Sequence, residues 1–343
     1  MAYYMYVSLQ EEDRIAIFTM TPKTGKLKHQ GDAELKGRPA PMAMDPEHKY
    51  LFAGRRKVDD YGMTSFNIDR KTGGLTPIGS IPLQGDPVHM STDKTGKFLL
   101  SAYYYQKTAA VHSIGDDGAI ADPPVVWRET DIGAHYIQTD HANKFAFVPH
   151  IARGSMDGAN AIFQFLFDEK SGNLTPLSPT RVNNRELEGP RHLSFHPTKN
   201  IVYASNEQGN SVTVYAYDSD KGNLHPLQTE STLPSGYDGE SSCSQIQVTP
   251  DGHFLYAPNR GHNSIAAFRI NPDNGYISPI GQTSTEAIPR AFCIDPQGAF
   301  LYAAGLETGK LASYKINQET GDLEPGDIYD VGKGPMWVMM AEF

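Results

Sequence analysis

Ten side chains that could bind an anion or move a proton occupy comparable positions in a repeated sequence unit. Each lies four or five residues before, or ten or eleven residues after, the start of a short turn that recurs along the chain. For Trp337 the turn is the position near the chain end at which one further repeat would place it. A guanidinium is permanently charged and offers forked donors to carboxylates, phosphates and carbonyl oxygens. An imidazole titrates near neutral pH and can exchange a proton with a substrate. The candidate residues are Arg56, His89, His135, His150, Arg191, His192, Glu207, Arg260, Arg290 and Trp337.

Each candidate also has a purely structural interpretation. An arginine in these positions can form an ion pair with a neighbouring repeat, and this holds for Arg55 as well as for Arg290. A histidine can pack or form a structural hydrogen bond, and a tryptophan can line a core. We expect Arg191 and His192 to point to opposite sides of one strand, because side chains alternate along a strand.

The recurring turn carries aspartates that we assign to structure. Its first residue is an aspartate in four repeats, and an aspartate in that position accepts hydrogen bonds from the backbone of its own turn. We therefore exclude four residues from the chemistry, namely Asp45, Asp93, Asp140 and Asp295.

The repeat itself predicts the fold. Successive turns are 46 to 56 residues apart and begin at Asp45, Asp93, Asp140, His196, Thr249 and Asp295. An aromatic and aliphatic strand follows each turn, as in KYLFAG (49–54), and then a third strand. Most repeats continue with a hairpin centred on glycine, as in TGGL (72–75). Several short strands at a fixed period of this length are typical of the blades of a β-propeller.

Six repeats are visible, and the two ends of the chain supply a seventh. GPMWVMMA (334–341) provides only a first strand, whereas residues 3–33 provide the other strands of a blade. Pairing the termini closes a ring and removes exposed sheet edges. We therefore predict an all-β, seven-bladed β-propeller that forms one domain over residues 1–343. Strands between residues 3 and 30 should share a blade with residues 335–342.

Blade geometry predicts that the candidate residues meet at one mouth of the ring. If the recurring turn joins the first two strands of each blade at one face, the residues before strand one and after strand two lie at the opposite face. Arg56, Arg191, Arg260 and Arg290 outnumber the one acid identified there, Glu207. We expect a locally positive pocket that binds a small anion.

Composition and charge limit the remaining classes of function. The net charge of -10 argues against broad binding to nucleic acid or to an anionic membrane. No apolar run approaches the roughly 18 residues of a membrane helix, and the first residues do not resemble a signal peptide, so we expect a cytoplasmic protein. Cys243 and Cys293 are too few for a disulfide framework and should be buried free thiols. The residues specify no oligomeric state.

Five segments, in an order and spacing compatible with blades, make the chain resemble a known family. The chain is similar to the seven-bladed lactonase family, and within it to the bacterial propeller-type 6-phosphogluconolactonases. The similarity runs essentially from end to end, and it implies hydrolysis of a 6-phosphogluconolactone-like sugar-acid lactone. The segments are GPRHLSFHP (189–197), SNEQGNSVTVY (205–215), TPDGHFLYAPNR (249–260), IPRAFCIDPQG (288–298) and GKGPMWV (332–338).

The same fold family includes fungal carboxy-cis,cis-muconate cyclases, in which a histidine, two arginines and a glutamate are proposed as the working residues. The resemblance implies these roles for His135, Arg191, Glu207 and Arg260, which the repeat also selects. We expect the remaining candidates to bind substrate, namely Arg56, His89, His150, His192, Arg290 and Trp337.

Lactone hydrolysis needs a positioned water, a base and donors for the oxyanion. Either His135 or Glu207 could be the base, and the sequence leaves this choice open. Two other functions stay open as well. A cycloisomerase would use Arg191 and Arg260 to clamp carboxylates, and a non-catalytic propeller would only bind a ligand. The clustered ionisable residues and the lack of the WD dipeptides of interaction propellers argue against the non-catalytic propeller.

We expect neither a cofactor nor a metal ion. No GxSxG, HExxH, Walker or dinucleotide motif occurs in a suitable context. Lactonases of a different propeller family hold a divalent metal with carboxylates and asparagines, for which the mouth offers Glu207, Asn206 and Asn259. The segment His150–Asn160 is longer than the matching loops of other repeats, which fits either a mobile rim or an inert surface loop.

Overall fold

The computed structural model describes residues 2–152 and 157–343, which form strands, turns and loops without any helix. The described residues therefore include no helix with the length and apolarity needed to span a membrane. Aromatic and β-branched residues dominate the strands and favour an extended backbone. In YYMYVSL (3–9) every side chain is buried, because both faces of this sheet pack against neighbouring sheets.

The described strands form seven antiparallel sheets, and each sheet is one blade of a propeller. In blades 2 to 7 the strands follow one another in chain order from the central axis outwards. Blade 1 contains β1 (Tyr3–Leu9), β2 (Arg14–Met20) and β3 (Leu27–Glu34), and blade 2 contains β4 (Pro39–Met44), β5 (Tyr50–Lys57), β6 (Asp60–Ile68) and β7 (Leu75–Pro82). Blade 3 contains β8 (Pro87–Thr92), β9 (Phe98–Tyr103), β10 (Thr108–Ser113) and β11 (Val126–Glu129). Blade 4 contains β12 (Gln138–Thr139), β13 (Phe145–His150), β14 (Ala161–Phe167) and β15 (Leu174–Asn183).

The remaining blades repeat this order, except that two short segments share the innermost place in blade 6. Blade 5 contains β16 (Pro190–Phe195), β17 (Ile201–Asn206), β18 (Ser211–Asp218) and β19 (Asn223–Ser231). Blade 6 contains β20 (Ser242–Cys243), β21 (Gln247–Val248), β22 (Phe254–Arg260), β23 (Ser264–Ile270) and β24 (Ile277–Ser284). Blade 7 contains β25 (Pro289–Ile294), β26 (Phe300–Gly305), β27 (Lys310–Ile316) and β28 (Leu323–Asp330).

The last strand, β29 (Pro335–Glu342), is the innermost strand of blade 1 and closes the ring. It pairs antiparallel with β1, from Tyr3 opposite Glu342 to Leu9 opposite Pro335. The predicted seven-bladed propeller and the pairing of the two termini are thus confirmed.

Tyrosines bind neighbouring blades together. The Tyr6 hydroxyl donates a hydrogen bond to the carbonyl oxygen of Gly73, in the outer hairpin of the next blade, at 3.0 Å. Tyr203, Tyr256 and Tyr302 do the same for their next blades, at 2.7 to 2.8 Å. Gly73 has a φ of +71°, and a Cβ there would lie 2.4 Å from the Tyr4 ring, so only glycine allows this close approach.

The predicted structural role of the turn aspartates is confirmed. Asp93 Oδ1 accepts hydrogen bonds from the backbone N–H groups of Lys97 and Phe98, both at 2.9 Å. Asp295 Oδ1 caps the same turn of blade 7, at 2.7 and 2.6 Å. These turns all lie at one face of the ring, which we call the turn face, and the starts of the innermost strands lie at the opposite face, which we call the site face.

The two cysteines are free and buried, as predicted. The long segment His150–Asn160 lies partly outside the described residues, since residues 153–156 are not among them.

Ring closure predicts that the C-terminal strand stabilises the whole propeller. Removing residues 334–343 deletes β29 and exposes the edge of β1, so we expect the unfolding midpoint to fall by at least about 10 °C. Circular dichroism during thermal unfolding measures the effect. Ile328→Ser in the outer strand β28, where the side chain is 58% exposed, is the matched control and should melt like the parent. An unchanged midpoint for the truncated chain would contradict closure by β29.

Candidate active site

β-bulges at the starts of innermost strands direct residues toward the axis. The pairing of β16 with β17 shifts between Pro190 and His192, and that of β25 with β26 shifts between Pro289 and Ala291. Arg191 and Arg290 are the extra residues, and a bulge re-aims such a side chain. The expectation that Arg191 and His192 point to opposite sides of the strand was wrong, because with the bulge both line the central channel.

A buried ion-pair group lies at the site face. Glu207 Oε2 is 2.7 Å from Arg191 Nε and 3.0 Å from Arg260 Nη2. Arg260 Nη2 also donates to the Cys243 carbonyl oxygen at 2.7 Å. The backbone N–H of Glu207 donates to the Gly189 carbonyl oxygen at 2.7 Å, which fixes the residue just beyond β17. One carboxylate from blade 5 thus holds arginines from blades 5 and 6.

A second carboxylate, Asp86, was missed in the sequence. Asp86 accepts two hydrogen bonds from Arg56, each at 2.5 Å, and so holds this guanidinium by both of its carboxylate oxygens. Asp86 precedes β8 in the sequence Gly85-Asp86-Pro87, two positions before Val88, the first residue of this blade that was compared between repeats. Two carboxylates, Glu207 and Asp86, therefore pair with the arginines of the pocket, rather than the one expected from the sequence.

Arg290 differs from the other three arginines. Among the described residues it has neither an ion-pair partner nor a hydrogen-bond partner for its guanidinium. Burial, followed by the positive charges of Arg260 and Arg56, lowers the pKa of Arg290 to about 10. The group is still charged at neutral pH, so Arg290 presents an uncompensated positive charge to the pocket.

His135 lies in the same pocket and is 7% exposed. Its backbone N–H donates to the Pro149 carbonyl oxygen at 3.0 Å, which anchors the residue just before β12. Its Nδ1 atom is buried and has no hydrogen-bond partner among the described residues. Burial, followed by the charges of Arg191 and Arg290, holds the pKa of His135 well below its usual value. The imidazole is neutral at neutral pH.

Glu207 is ionised in this environment. Burial alone would raise its pKa, but Arg260, Arg191 and Arg290 outweigh burial and lower the pKa below its usual value. The Glu207 carboxylate is the shared partner of two guanidinium groups. Its geometry suits it to positioning the two arginines.

The enclosed space beside these groups is small. Its volume is about 10 Å³, and its wall includes Arg56, His135, Arg191 and Arg290. A space of this size has room for roughly one water molecule.

A layer of rings lies beneath this pocket, on the side of the turn face. The His89 ring centroid lies 4.1 Å from that of Tyr136, 5.2 Å from that of His192 and 5.4 Å from that of Trp337. The centroids of His135 and His192 are 5.6 Å apart. Burial and Arg191 lower the pKa of His89 to about 3 and lower that of His192 as well. The structure thus brings these predicted residues together as a neutral aromatic floor.

His150 is not brought into the pocket. Its Nδ1 atom is 2.8 Å from the Val148 carbonyl oxygen and its Nε2 atom is 3.0 Å from Thr130 Oγ1. Asn206 and Asn259 occupy the corresponding place in blades 5 and 6 and also bond within their surroundings. The next residue along, as in Glu207 and Arg260, reaches the mouth. Strand alternation explains this difference, because consecutive residues point to opposite sides.

Pocket side chains such as His135 and Arg191 are buried although they line a cavity, and Arg191 is only 2% exposed. Around these residues, and throughout 2–152 and 157–343, no group of three or more His, Cys, Asp or Glu side chains is arranged to hold a metal ion.

Comparison with known proteins identifies the family. The chain matches the family model described as "Lactonase, 7-bladed beta-propeller" over residues 4–340. It is 32% identical over 335 residues to a 6-phosphogluconolactonase of Pectobacterium carotovorum subsp. carotovorum strain PC1, with 97% of each chain covered. It is 33% identical over 336 residues to a 6-phosphogluconolactonase of Yersinia pestis strain Pestoides F, with 97% of this chain and 96% of that protein covered.

A solved structure with the same architecture is the periplasmic gluconolactonase of Pseudomonas aeruginosa. Its TM-score against this chain is 0.91 at 22% identity, with 100% of this chain and 99% of that chain covered. At this identity the likeness establishes the fold. The family predicted from the five sequence segments is confirmed, and the chain belongs to the lactonase family of seven-bladed β-propellers.

Proposed function

We propose that this chain hydrolyses the lactone of a sugar acid that carries an anionic group, as 6-phosphogluconolactone does, at the site face. The observation that carries the proposal is the buried Arg191–Glu207–Arg260 group, whose Arg191 lines the small pocket together with His135. The lactonase family and the relatives named 6-phosphogluconolactonase support the reaction class.

In this proposal His135 is the general base. A base must be unprotonated before it can take a proton from water, and the lowered pKa keeps the His135 imidazole neutral. The small space beside it has room for about one water. That water attacks the lactone carbonyl carbon while an imidazole nitrogen takes its proton. The same proton can then protonate the ring oxygen as the carbon–oxygen bond breaks.

Arg191 and Arg260 stabilise the oxyanion in this mechanism. Arg191 Nη1 and Arg260 Nε are buried without a hydrogen-bond partner among the described residues. Donors held in place before the reaction stabilise charge as it develops on the carbonyl oxygen. Glu207 is then a positioning residue, because it holds both guanidinium groups and compensates part of their charge.

Arg290 binds the anionic group of the substrate. Four guanidinium groups and two carboxylates leave two uncompensated positive charges around the pocket, and Arg290 is the arginine without a carboxylate partner. A phosphate, sulfonate or carboxylate can each accept its forked donors. Asp86 already accepts hydrogen bonds from two nitrogen atoms of Arg56. Arg56 therefore contributes positive potential to the pocket rather than a free pair of hydrogen-bond donors.

The relatives named 6-phosphogluconolactonase favour hydrolysis over a cycloisomerase of the muconate type, which would use Arg191 and Arg260 to clamp substrate carboxylates. The cytoplasmic location expected from the sequence stays a prediction, and one structurally similar protein is described as periplasmic.

The role of His135 predicts a specific pH dependence. Protonation of His135 removes the base, so kcat/KM should fall on the acid side, and the lowered pKa places this fall well below pH 6.5. His135→Asn should lower turnover about 100-fold or more and abolish this acid limb. Arg290→Met removes a positive neighbour, so the pKa of His135 and the acid limb should both move to higher pH. A profile of His135→Asn that matches the parent would contradict the assignment.

The positioning role of Glu207 predicts a loss of stability. Glu207→Gln leaves two buried guanidinium groups without their carboxylate, so the free energy of unfolding should fall by about 3–5 kcal/mol. Urea unfolding measures this change. Glu47→Gln is the control, because Glu47 is exposed and pairs only with Lys49 at the surface, where an ion pair contributes little. Equal stability of the two variants would show that Glu207 does not hold the arginines.

The role of Arg290 predicts substrate preference. In a proton-release assay over a lactone panel, kcat/KM should be higher for anionic than for matched neutral lactones and should decrease with salt. Arg290→Met should lower kcat/KM about 10- to 100-fold for anionic lactones only. Arg55→Met is the control, since Arg55 pairs with Asp60 outside the pocket. Equal rates for both lactone classes would overturn the role of Arg290, and no hydrolysis of any lactone would overturn the proposed reaction.

A further inference from the structure

A cavity on the axis opens on the turn face, away from the proposed hydrolytic site. Its volume is about 470 Å³, within the range of small-molecule sites. Innermost strands of several blades form its wall. The residues that matter here are His89, Lys94, Gln245 and Trp337, which come from blades 3, 6 and 1.

The side chains at the inner end of this cavity present hydrogen-bond donors. His89 Nδ1 accepts the backbone N–H of Ile137 at 3.3 Å, so the neutral ring carries its hydrogen on Nε2. Gln245 Oε1 accepts the backbone N–H of Phe292 at 2.9 Å, which leaves its NH₂ group as the free end. The Gln245 NH₂ group and the Trp337 indole N–H have no hydrogen-bond partner among the described residues.

The carboxylates around the cavity are already used by the backbone. Asp93 accepts hydrogen bonds from Thr95, Lys97 and Phe98. Asp45 accepts hydrogen bonds from Glu47 and Tyr50. A ligand in the cavity therefore meets free donors but few free acceptors, and this favours a ligand rich in acceptor oxygens.

Lys94 adds a full positive charge at the mouth of the cavity. Its backbone N–H donates to Asn143 Oδ1 at 3.0 Å, which fixes the residue at the turn. Its ammonium group has no carboxylate within ion-pair distance among the described residues, although Asp93 and Asp140 lie nearby.

We propose that the turn-face cavity is a second ligand site, which binds a small oxyanion through Lys94, Gln245, His89 and Trp337. The occupant is a carboxylate or phosphate of metabolite size. Gln245 and Trp337 also line the small pocket beside His135, so the two sites share a wall. An occupant of one site thereby alters the surroundings of the other, as in an effector site. The proposal does not depend on lactone hydrolysis.

Fluorescence of Trp337 tests this site directly. The background variant is Trp127→Phe with Arg290→Met, which leaves Trp337 as the only tryptophan and removes the anion-binding arginine of the site face. Inorganic phosphate and gluconate are titrated separately, so that the two arms distinguish a phosphate site from a carboxylate site. We expect a saturable change in emission with at least one of them.

The decisive comparison adds one lysine substitution to that background. Lys94→Met should weaken binding at least about tenfold, because it removes the charged donor. Lys97→Met is the matched control, since Lys97 lies in the same turn but not in the wall of the cavity, and it should bind like the background. Equal affinity in Lys94→Met and Lys97→Met, or no saturable change with either anion, would overturn the proposal.

Discussion

Compensation of buried positive charge is the constraint on which the site depends. Four guanidinium groups surround the mouth of the ring, and charges removed from water are costly unless they are paired. Glu207 holds two of them and Asp86 holds a third. Arg290 is left without a carboxylate partner, and an anionic substrate would compensate its positive charge. Burial, followed by the same positive charges, keeps His135 neutral, and those charges outweigh burial at Glu207 and keep it ionised.

The closed ring makes this arrangement possible. Innermost strands of different blades contribute residues to the axis, and the circle brings together residues that lie far apart in sequence. The strand that begins at the Arg191 bulge serves two layers, because Arg191 lies in the charged pocket and His192 lies in the layer of rings beneath it. Pairing of β29 with β1 is needed for this geometry, because an open ring would not hold the opposite blades in register.

The fold could be predicted almost completely, because each repeat consists of short strands and turns that can be recognised in the sequence and that recur at a regular spacing. Arg191, Glu207 and Arg260 could be predicted for the same reason, since comparable positions in a repeat occupy comparable places. His150 shows where this reasoning ends, because a shift of one residue along a strand reverses the side chain. Asp86 was missed because its importance comes from Arg56 in space rather than from the repeat. Burial and the resulting pKa values depend on the assembled ring and have no local signature.

The central claim is that an anionic ligand at the site face pairs with Arg290 and compensates its positive charge. A crystal structure of the protein with 6-phosphogluconate, the hydrolysis product of 6-phosphogluconolactone, would test this claim most directly. The account predicts that the phosphate lies within hydrogen-bond distance of Arg290 and that the carboxylate lies beside His135, Arg191 and Arg260. Density for the ligand only at the turn face, or with its phosphate away from Arg290, would contradict it.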